Sequence, residues 1–461
     1  GYPCTMAETY DYVVIGAGPG GYSSANRAAQ LGLKTAVIER ENAGGVCLNW
    51  GCIPTKALLA SAHLYHKIQA GKLGISIEGK ATANLGDIID RSRNVAARLQ
   101  TGVKSLFKKY GVTLIEGNAH LAGDALEVKT AAGTKTLHYK HLCIATGARA
   151  RALPQLPFSP KVWQYRDALV QKNLPDSLIV VGGGAIGLEF ADFYQCLGSK
   201  VSVVEMAPHI LPNDDTKIAT ALRKALEQRG MAFYEGAQIS ALAETTAGVT
   251  MTLKTADGKS EPLAASALLV AIGVQPNTED LGAAELGLTD EKKFIRIDAT
   301  CRTGKNNIYA IGDVTAGKLL AHRAAHQGIY VAELIAGKKP QLPGEIPGCI
   351  YTSPQVATIG LTEKQLTDGK REFALAEFPW LASGMALAAA EQSGFTRIFT
   401  DKKTGEILGA QIVGEHAAEL IGQVSLAMGS ELLADDFLHA VMPHPTLSET
   451  VFQSFAILEK A

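Results

Sequence analysis

The strongest constraint on how this chain can fold is a supersecondary unit that it contains twice. "DYVVIGAGPGGYSSANRAAQLGLKTAVIE" reads as strand, glycine turn, helix and strand, ending at Glu39. "SLIVVGGGAIGLEFADFYQCLGSKVSVVE" reads the same way and ends at Glu205. Gly16 precedes Glu39, and Gly182 precedes Glu205, by the same 23 positions. The glycines of each G-x-G-x-x-G have separate tasks. Gly16 and Gly182 allow a tight turn, Gly18 and Gly184 let backbone approach a pyrophosphate, and Gly21 and Gly187 let helix pack on strand. The pyrophosphate sits on the helix N-terminus, and the closing acid binds a ribose hydroxyl. One such pattern is weak. Two, each after an apolar strand and each closed by an acid at one spacing, predict an α/β chain with two Rossmann-like dinucleotide-binding domains.

The first unit runs into "GGVCLNWGCIPTK", which sets Cys47 and Cys52 five positions apart. A bridge between them closes too short a loop to be a useful staple. Geometry also restricts it. Residues five apart in an α-helix are separated by about 7.5 Å of rise, beyond what a disulfide spans, so the chain must bend between the two. Gly51 supplies that freedom. Pro54 suits a first helical turn, and Leu58, Ala62 and Tyr65 follow at helical spacing. Cys52 then lies beside a helix N-terminus, where the dipole favours a thiolate. On this stretch alone, two unrelated buried cysteines remain open as the alternative to a redox pair.

A chain of 461 residues predicts about three domains. Lys+Arg is 44 and Asp+Glu is 45, which leaves no global field for nucleic acid or an anionic membrane. Seven cysteines are odd and sparse for this length, which points to a reducing compartment. No apolar run is long enough for a membrane helix, and no signal-peptide pattern opens the chain. "GYPCT" before Met6 reads as an expression remnant, which sets Cys4 aside.

Two dinucleotides and a cysteine pair suggest an electron path of nicotinamide, flavin and disulfide. The unit joined to the cysteines is expected to take the flavin and the second unit the nicotinamide cofactor. Glu205 is followed by "MAPHI", without a nearby Arg or Lys, which favours NAD over NADP. Further strands run into Thr146-Gly147 and into Gly273, and "NIYAIGDVT" carries Asp313 at a strand mouth. The segment after "KKPQLPGEIPG" reads as strands followed by helices. The expected division is 6–150 and 279–346 for the flavin domain, 151–278 for the NAD domain, and 347–461 for the last.

"MPHPTLSET" supplies proton chemistry. His444 stands between two prolines, which keep its backbone extended. Thr446 and Glu449 form a T-x-x-E capping box for the closing helix. Glu449 can also orient His444 and favour its protonated form, and one residue can do both. A thiol–disulfide exchange needs such a base. His63, His66, His138 and His141 read as surface or satisfied histidines.

Together with "IYAIGDV" and "HPTLSE", these motifs give a chain that resembles the flavin-dependent pyridine nucleotide–disulfide oxidoreductases from Tyr10 to about Phe455. The resemblance implies an FAD- and NAD-dependent enzyme with a C-terminal α+β dimerisation domain. By the same resemblance, Cys47 exchanges with substrate, Cys52 faces the flavin, His444 is the base and Glu449 its partner. Lys56 lies near the flavin, paired with Glu189. Glu39, Gly117, Thr146 with Gly147, Asp313 and Ala321 match flavin positions. Gly182 to Gly187, Glu205 and Gly273 match nicotinamide positions. A homodimer is implied, with the base supplied across subunits.

The members it resembles most oxidise protein-bound dihydrolipoamide and serve 2-oxo acid dehydrogenase or glycine cleavage complexes. The expected location is the cytoplasm, or the mitochondrial matrix in a eukaryote, with no metal, nucleic acid or membrane. Three departures stand out: Met442 where relatives have histidine, Val274 where they have arginine, and Gln355 where they have an acid. Two other readings use the same scaffold. A related reductase could act on another disulfide, although Glu205 argues against the NADPH-dependent glutathione type and "SFAILEKA" lacks a terminal cysteine pair. An idle flavoprotein scaffold would need none of Cys47, Cys52, His444 and Glu449.

Overall fold

In "YVVI" and "LIVV", apolar residues run without alternation, the pattern of a strand covered on both faces. Val13, Val14, Leu178 and Val180 are all 0% exposed. Each such side chain contributes about 1.5–3 kcal/mol relative to exposure. The computed structural model describes residues 7–458. Cys4 with the rest of the opening, and the last three residues of "SFAILEKA", lie outside the described residues. Two compact units divide the chain. One takes the residues up to Thr55, Asp90–Arg151 and Gly273–Pro343; the other takes Lys56–Ile89, Ala152–Ile272 and the chain from Gly344 on.

The first unit opens with β1 (Glu8–Ile15), α1 (Pro19–Gln30) and β2 (Thr35–Glu39). The strands are parallel, with Tyr12 opposite Thr35 and Ile15 opposite Ile38. Their sheet runs Thr113–Glu116, β2, β1, Gly133–Ile144, Ala125–Thr130 and Asn118–Ala122, and Ile308–Ala310 also pairs with Gly133–Ile144. The buried Tyr12 and Ser24 hydroxyls meet at 2.7 Å, tying β1 to α1. The small residues of α1 admit the helix Ala321–Ile335 so closely that a Cβ on Gly328 would come 2.4 Å from the Gly20 oxygen. Beyond β2 come α2 (Gly45–Trp50), α3 (Cys52–Ala70) and α4 (Leu85–Tyr110).

In the second unit, five parallel strands run in the order Ala232–Glu235, Lys200–Glu205, Ser177–Val181, Ala267–Val270 and Val162–Trp163. The helix Ala185–Cys196 crosses between two of them. The same unit holds an antiparallel sheet from the C-terminal segment, ordered Gly348–Ile350, Gln355–Gly360, Ile407–Gly414, Phe395–Asp401 and Phe373–Pro379. Trp380 is fully buried in its core, and Phe437 stacks on Phe455 at 4.3 Å. The expected order of strands followed by helices is corrected here. Short helices Glu363–Asp368 and Gly384–Ala388 fall between the strands. Ser383 and Thr362 cap them through their side chains, a local signal inside a segment dominated by strand residues.

Candidate active site

The two glycine turns have nearly the same construction. Gly16 and Gly182 hold φ of +103° and +112°, and a Cβ there would come 2.1 Å from Ala145 O and 2.0 Å from Ala271 O. Only glycine fits. Gly18 and Gly184 occupy the N-caps of their helices without any side-chain cap, which leaves backbone N–H groups for a ligand. Nothing lies within 4 Å of the Cβ position at Gly184, and only Gly45 Cα, at 3.8 Å, at Gly18. An open, uncapped helix start suits a pyrophosphate.

The acids close both turns in one pattern. Glu39 accepts from Ala17 N–H and Glu41 N–H, each at 2.8 Å. Glu205 accepts from Gly183 N–H and Ala207 N–H, each at 2.8 Å. Burial pushes the Glu39 carboxyl above its ordinary value, although the two N–H groups pull the other way.

In the first unit, a 580 Å³ cleft beside Glu39 is lined also by Asn42, Lys104, Gly117 and Lys129. Gly117 donates its N–H to Glu39 O at 2.9 Å. Thr146 and Gly147 are tied down by a residue that sequence reasoning missed. Asn277 accepts from the Thr146 hydroxyl at 2.7 Å through its backbone oxygen, and its own amide donates to Thr146 O at 3.0 Å. Asp313 lies in a 3₁₀ turn, where burial raises its carboxyl against the pull of Arg323. Ala321 opens the helix Ala321–Ile335.

The cysteine segment is more regular than expected. Cys47 stands inside α2, and the irregularity is confined to Gly51, whose φ of −142° and ψ of −116° break the helix before Cys52 begins α3. Both thiols are partly exposed. The buried Asn49 amide donates to Ala43 O at 3.0 Å and Gly45 O at 2.9 Å, and Gly44 N–H donates to Ala17 O at 2.7 Å. The segment is thereby tied to the first glycine turn. Tyr22 of α1 is raised above an ordinary phenol, first by burial and then by the charges of Cys47 and Cys52.

The second unit brings Lys56 and Glu189 together at 2.8 Å, as expected. Glu189 also accepts from Tyr351 N–H at 3.2 Å, and the Lys56 ammonium lies 4.4 Å from the centre of the Tyr351 ring. One turn further along the same helix, Asp192 repeats the arrangement. It takes His63 Nε2 at 2.7 Å, Ser353 N–H at 2.9 Å and Arg229 Nη2 at 2.5 Å. Burial opposes the Asp192 charge, but the His63 hydrogen bond and the Arg229 cation bring its pKa down to about 2. Cys196, beside it, is pushed up to about 12 by burial and by the Asp192 charge. His63, Asp192 and Cys196 have the donor atoms of a metal site, but Arg229 already holds the carboxylate. Sequence reasoning found no role for Asp192. Its only signal is an acid three residues after Glu189 on an otherwise apolar helix.

Gly273 turns with φ of +113°, and Val274 after it pairs with Ala150. Near the other end of the chain, His444 Nδ1 lies 2.8 Å from Glu449 Oε1, with the ring 80% exposed. Glu449 Oε2 accepts from Thr446 N–H at 2.9 Å. The capping box is corrected to half of one. The Thr446 hydroxyl donates to Pro443 O at 2.7 Å and does not cap the closing helix Ser448–Ala456. Glu449 is held below the ordinary carboxylate range by Thr446 N–H and then by His444. Gln355 accepts from Ala418 N–H at 3.1 Å in the first turn of the helix Ala417–Gly429, and Met442 packs on the C-terminal core. Cys47 and Cys52 belong to the first unit and Lys56, Glu189, His444 and Glu449 to the second.

The profile described as pyridine nucleotide-disulphide oxidoreductase matches residues 10–328, and the dimerisation domain of the same description matches 346–454. The chain belongs to this family. Among curated proteins, the dihydrolipoyl dehydrogenase of Rhizobium etli is 43% identical, with 97% of each chain covered. That of Zymomonas mobilis is 42% identical over 97% of this chain and 98% of its own. Two solved structures share the fold. LpdA of Mycobacterium tuberculosis has a TM-score of 0.89 at 28% identity, covering 96% of this chain and 99% of its own. The HOCl-induced flavoprotein disulfide reductase RclA of Escherichia coli has a TM-score of 0.86 at 26% identity, covering 98% and 100%. Membership of the oxidoreductase family and the mixed α/β fold follow together, and the dimerisation domain supports a homodimer. Among the described residues, no helix is long and apolar enough to cross a membrane.

Proposed function

We propose that this family member oxidises protein-bound dihydrolipoamide to lipoamide while NAD is reduced. The first glycine turn would hold FAD and the second NAD. The observation that carries the reading is the cysteine pair itself: Cys47 and Cys52 flank a helix break tied by Gly44 to the first glycine turn. Relatives named dihydrolipoyl dehydrogenase, alike over nearly their whole length, support the substrate.

His444, held by Glu449 through Nδ1, takes a proton from a substrate thiol at its other ring nitrogen. The resulting thiolate attacks the Cys47 sulfur, the bond to Cys52 breaks, and Cys52 leaves as a thiolate favoured by the start of α3. The second substrate thiol then gives up its proton as its sulfur attacks the first, which forms lipoamide and releases Cys47 as the thiol. Bound FAD supplies the passage of the electron pair from the two cysteines to NAD. Lys56, fixed by Glu189 and Tyr351, sets a positive charge one helical turn after Cys52. In the proposed homodimer, the base serving one cysteine pair is the partner subunit's His444. The substrate arm is a lipoyl domain of a 2-oxo acid dehydrogenase or glycine cleavage complex, in the cytoplasm or, in a eukaryote, the mitochondrial matrix.

The likeness to RclA favours one other reading, a reductase for a different disulfide. Steady-state assays decide between them. Rapid NAD reduction by dihydrolipoamide, with little turnover of NADPH and oxidised glutathione, is expected. Absence of dihydrolipoamide turnover in FAD-loaded protein refutes the assignment.

A further inference from the structure

Two consecutive residues of α4 reach the cysteine segment from the side. The Ser92 hydroxyl donates to Pro54 O at 3.0 Å, and Arg93 Nη1 donates to Asn49 O at 2.5 Å. The Arg93 guanidinium also lies 4.1 Å from the centre of the Trp50 ring. Asn49 and Trp50 end α2, while Pro54 lies in the first turn of α3. The two contacts therefore bracket Gly51 and Cys52, where the helix is broken. Carbonyls in the last turn of a helix have no intrahelical donor, and a cation there is favoured by the dipole. A guanidinium on an indole face is held in orientation as well as attracted. Burial lowers the proton affinity of Arg93.

We propose that Arg93 is a positioning residue of the redox centre: it holds the chain break between Cys47 and Cys52, and its charge favours the reduced pair. The inference rests on the reading of these two cysteines as the redox couple. Reduction breaks one S–S bond, takes up an electron pair and one proton, and leaves one thiol and one thiolate. Dihydrolipoamide supplies the electrons and both protons. It becomes a cyclic disulfide, one proton stays on the thiol, and the other passes to solvent by way of the base. The reduced segment therefore carries one more negative charge than the oxidised one. A cation fixed beside it, at Asn49 O and the Trp50 ring, shifts the equilibrium toward reduction.

The test uses FAD-loaded wild type, Arg93→Met and Arg93→Lys, each equilibrated in lipoamide/dihydrolipoamide buffers at one pH. The pair is then trapped by alkylation and its reduced fraction read by mass. Arg93→Met is expected to move the equilibrium toward the disulfide by roughly tenfold, about 30 mV for a two-electron couple. Arg93→Lys, which keeps the charge, is expected to recover most of that shift. A wild-type equilibrium in Arg93→Met overturns the proposal, and so does Arg93→Lys displaced as far as Arg93→Met. If Arg93→Met does not fold with its flavin, Arg93→Gln replaces it, since it keeps a donor for Asn49 O without the charge. The same expected shift applies. A wild-type pair whose oxidation state ignores the buffer ratio refutes instead the redox reading on which the proposal stands.

Discussion

At the first glycine turn Glu39 accepts the Ala17 N–H at 2.8 Å, and at the second Glu205 accepts the Gly183 N–H at the same distance. The surroundings then part. The first turn is covered by the cysteine segment, where a Cβ on Gly45 would come 2.5 Å from Gly18 Cα. The second is covered by Ile210, whose Cγ2 would lie 2.7 Å from a Cβ on Gly183. The helices differ too. α1 turns small residues to the helix Ala321–Ile335 and adds one ion pair, Arg27–Glu333, at 2.8 Å. The helix Ala185–Cys196 instead presents Glu189 and Asp192. Each takes one side chain of α3 and one N–H of the Tyr351–Ser353 stretch. One turn geometry thus serves two ends: the first is joined to a thiol pair, the second to the carboxylates that grip the helix continuing from it.

The comparison can be broken most severely at the thiol side. His444→Gln keeps bulk but cannot take a proton, so dihydrolipoamide turnover is expected to fall by about 10²-fold or more. NADH should still reduce the cysteine pair, because that half-reaction needs no substrate base. In mixed dimers, a Cys47→Ser protomer with a His444→Gln protomer should regain one working site. Near wild-type turnover of the His444→Gln homodimer would place the base elsewhere.

Next in size is Asp192. Its pKa falls from 3.8 unfolded to about 2 folded. A depressed carboxylate gives stability that is complete above about pH 4 and lost as pH drops toward 2, on the order of 2 kcal/mol. Asp192→Asn should lower neutral-pH stability by that much or more, since Arg229 loses its buried partner. It should also flatten the acid limb of a stability–pH curve measured by denaturant unfolding. An unchanged acid limb would mean that Asp192 carries no such charge linkage.

At the second turn, NAD should be preferred to NADP by at least tenfold in kcat/KM, about 1.4 kcal/mol, because a 2′-phosphate would meet Glu205. Met206, 65% exposed, follows Glu205 and offers no compensating charge. Equal use of the two cofactors would remove the distinction. The smallest effect belongs to the ion pair of α1. Arg27 and Glu333 are partly exposed, so Arg27→Ala should cost less than about 1 kcal/mol in the same unfolding assay.

The repeated glycine spacing made the parallel strand pair of each unit legible, because turn, helix start and closing acid are local features. The contact of His444 with Glu449 was legible for the same reason, its two residues lying five positions apart. What escaped was non-local. His63 meets Asp192 across 129 positions and Asn277 meets Thr146 across 131, and neither partner is marked by periodicity. Thr446 misled because its hydroxyl finds Pro443 O, an acceptor that the T-x-x-E pattern ignores. The short helices Glu363–Asp368 and Gly384–Ala388 were hidden among strand-forming neighbours.

The central claim, that the first glycine turn is joined to a working redox pair with Cys52 toward the flavin, is tested most directly by absorbance. FAD-loaded Cys47→Ser and Cys52→Ser are titrated anaerobically with reductant. Cys47→Ser is expected to show a long-wavelength charge-transfer band before any reductant is added, as the proposed placement of its remaining thiolate beside the flavin requires. Cys52→Ser is expected to show none at any stage. A band that persists in Cys52→Ser would contradict the account.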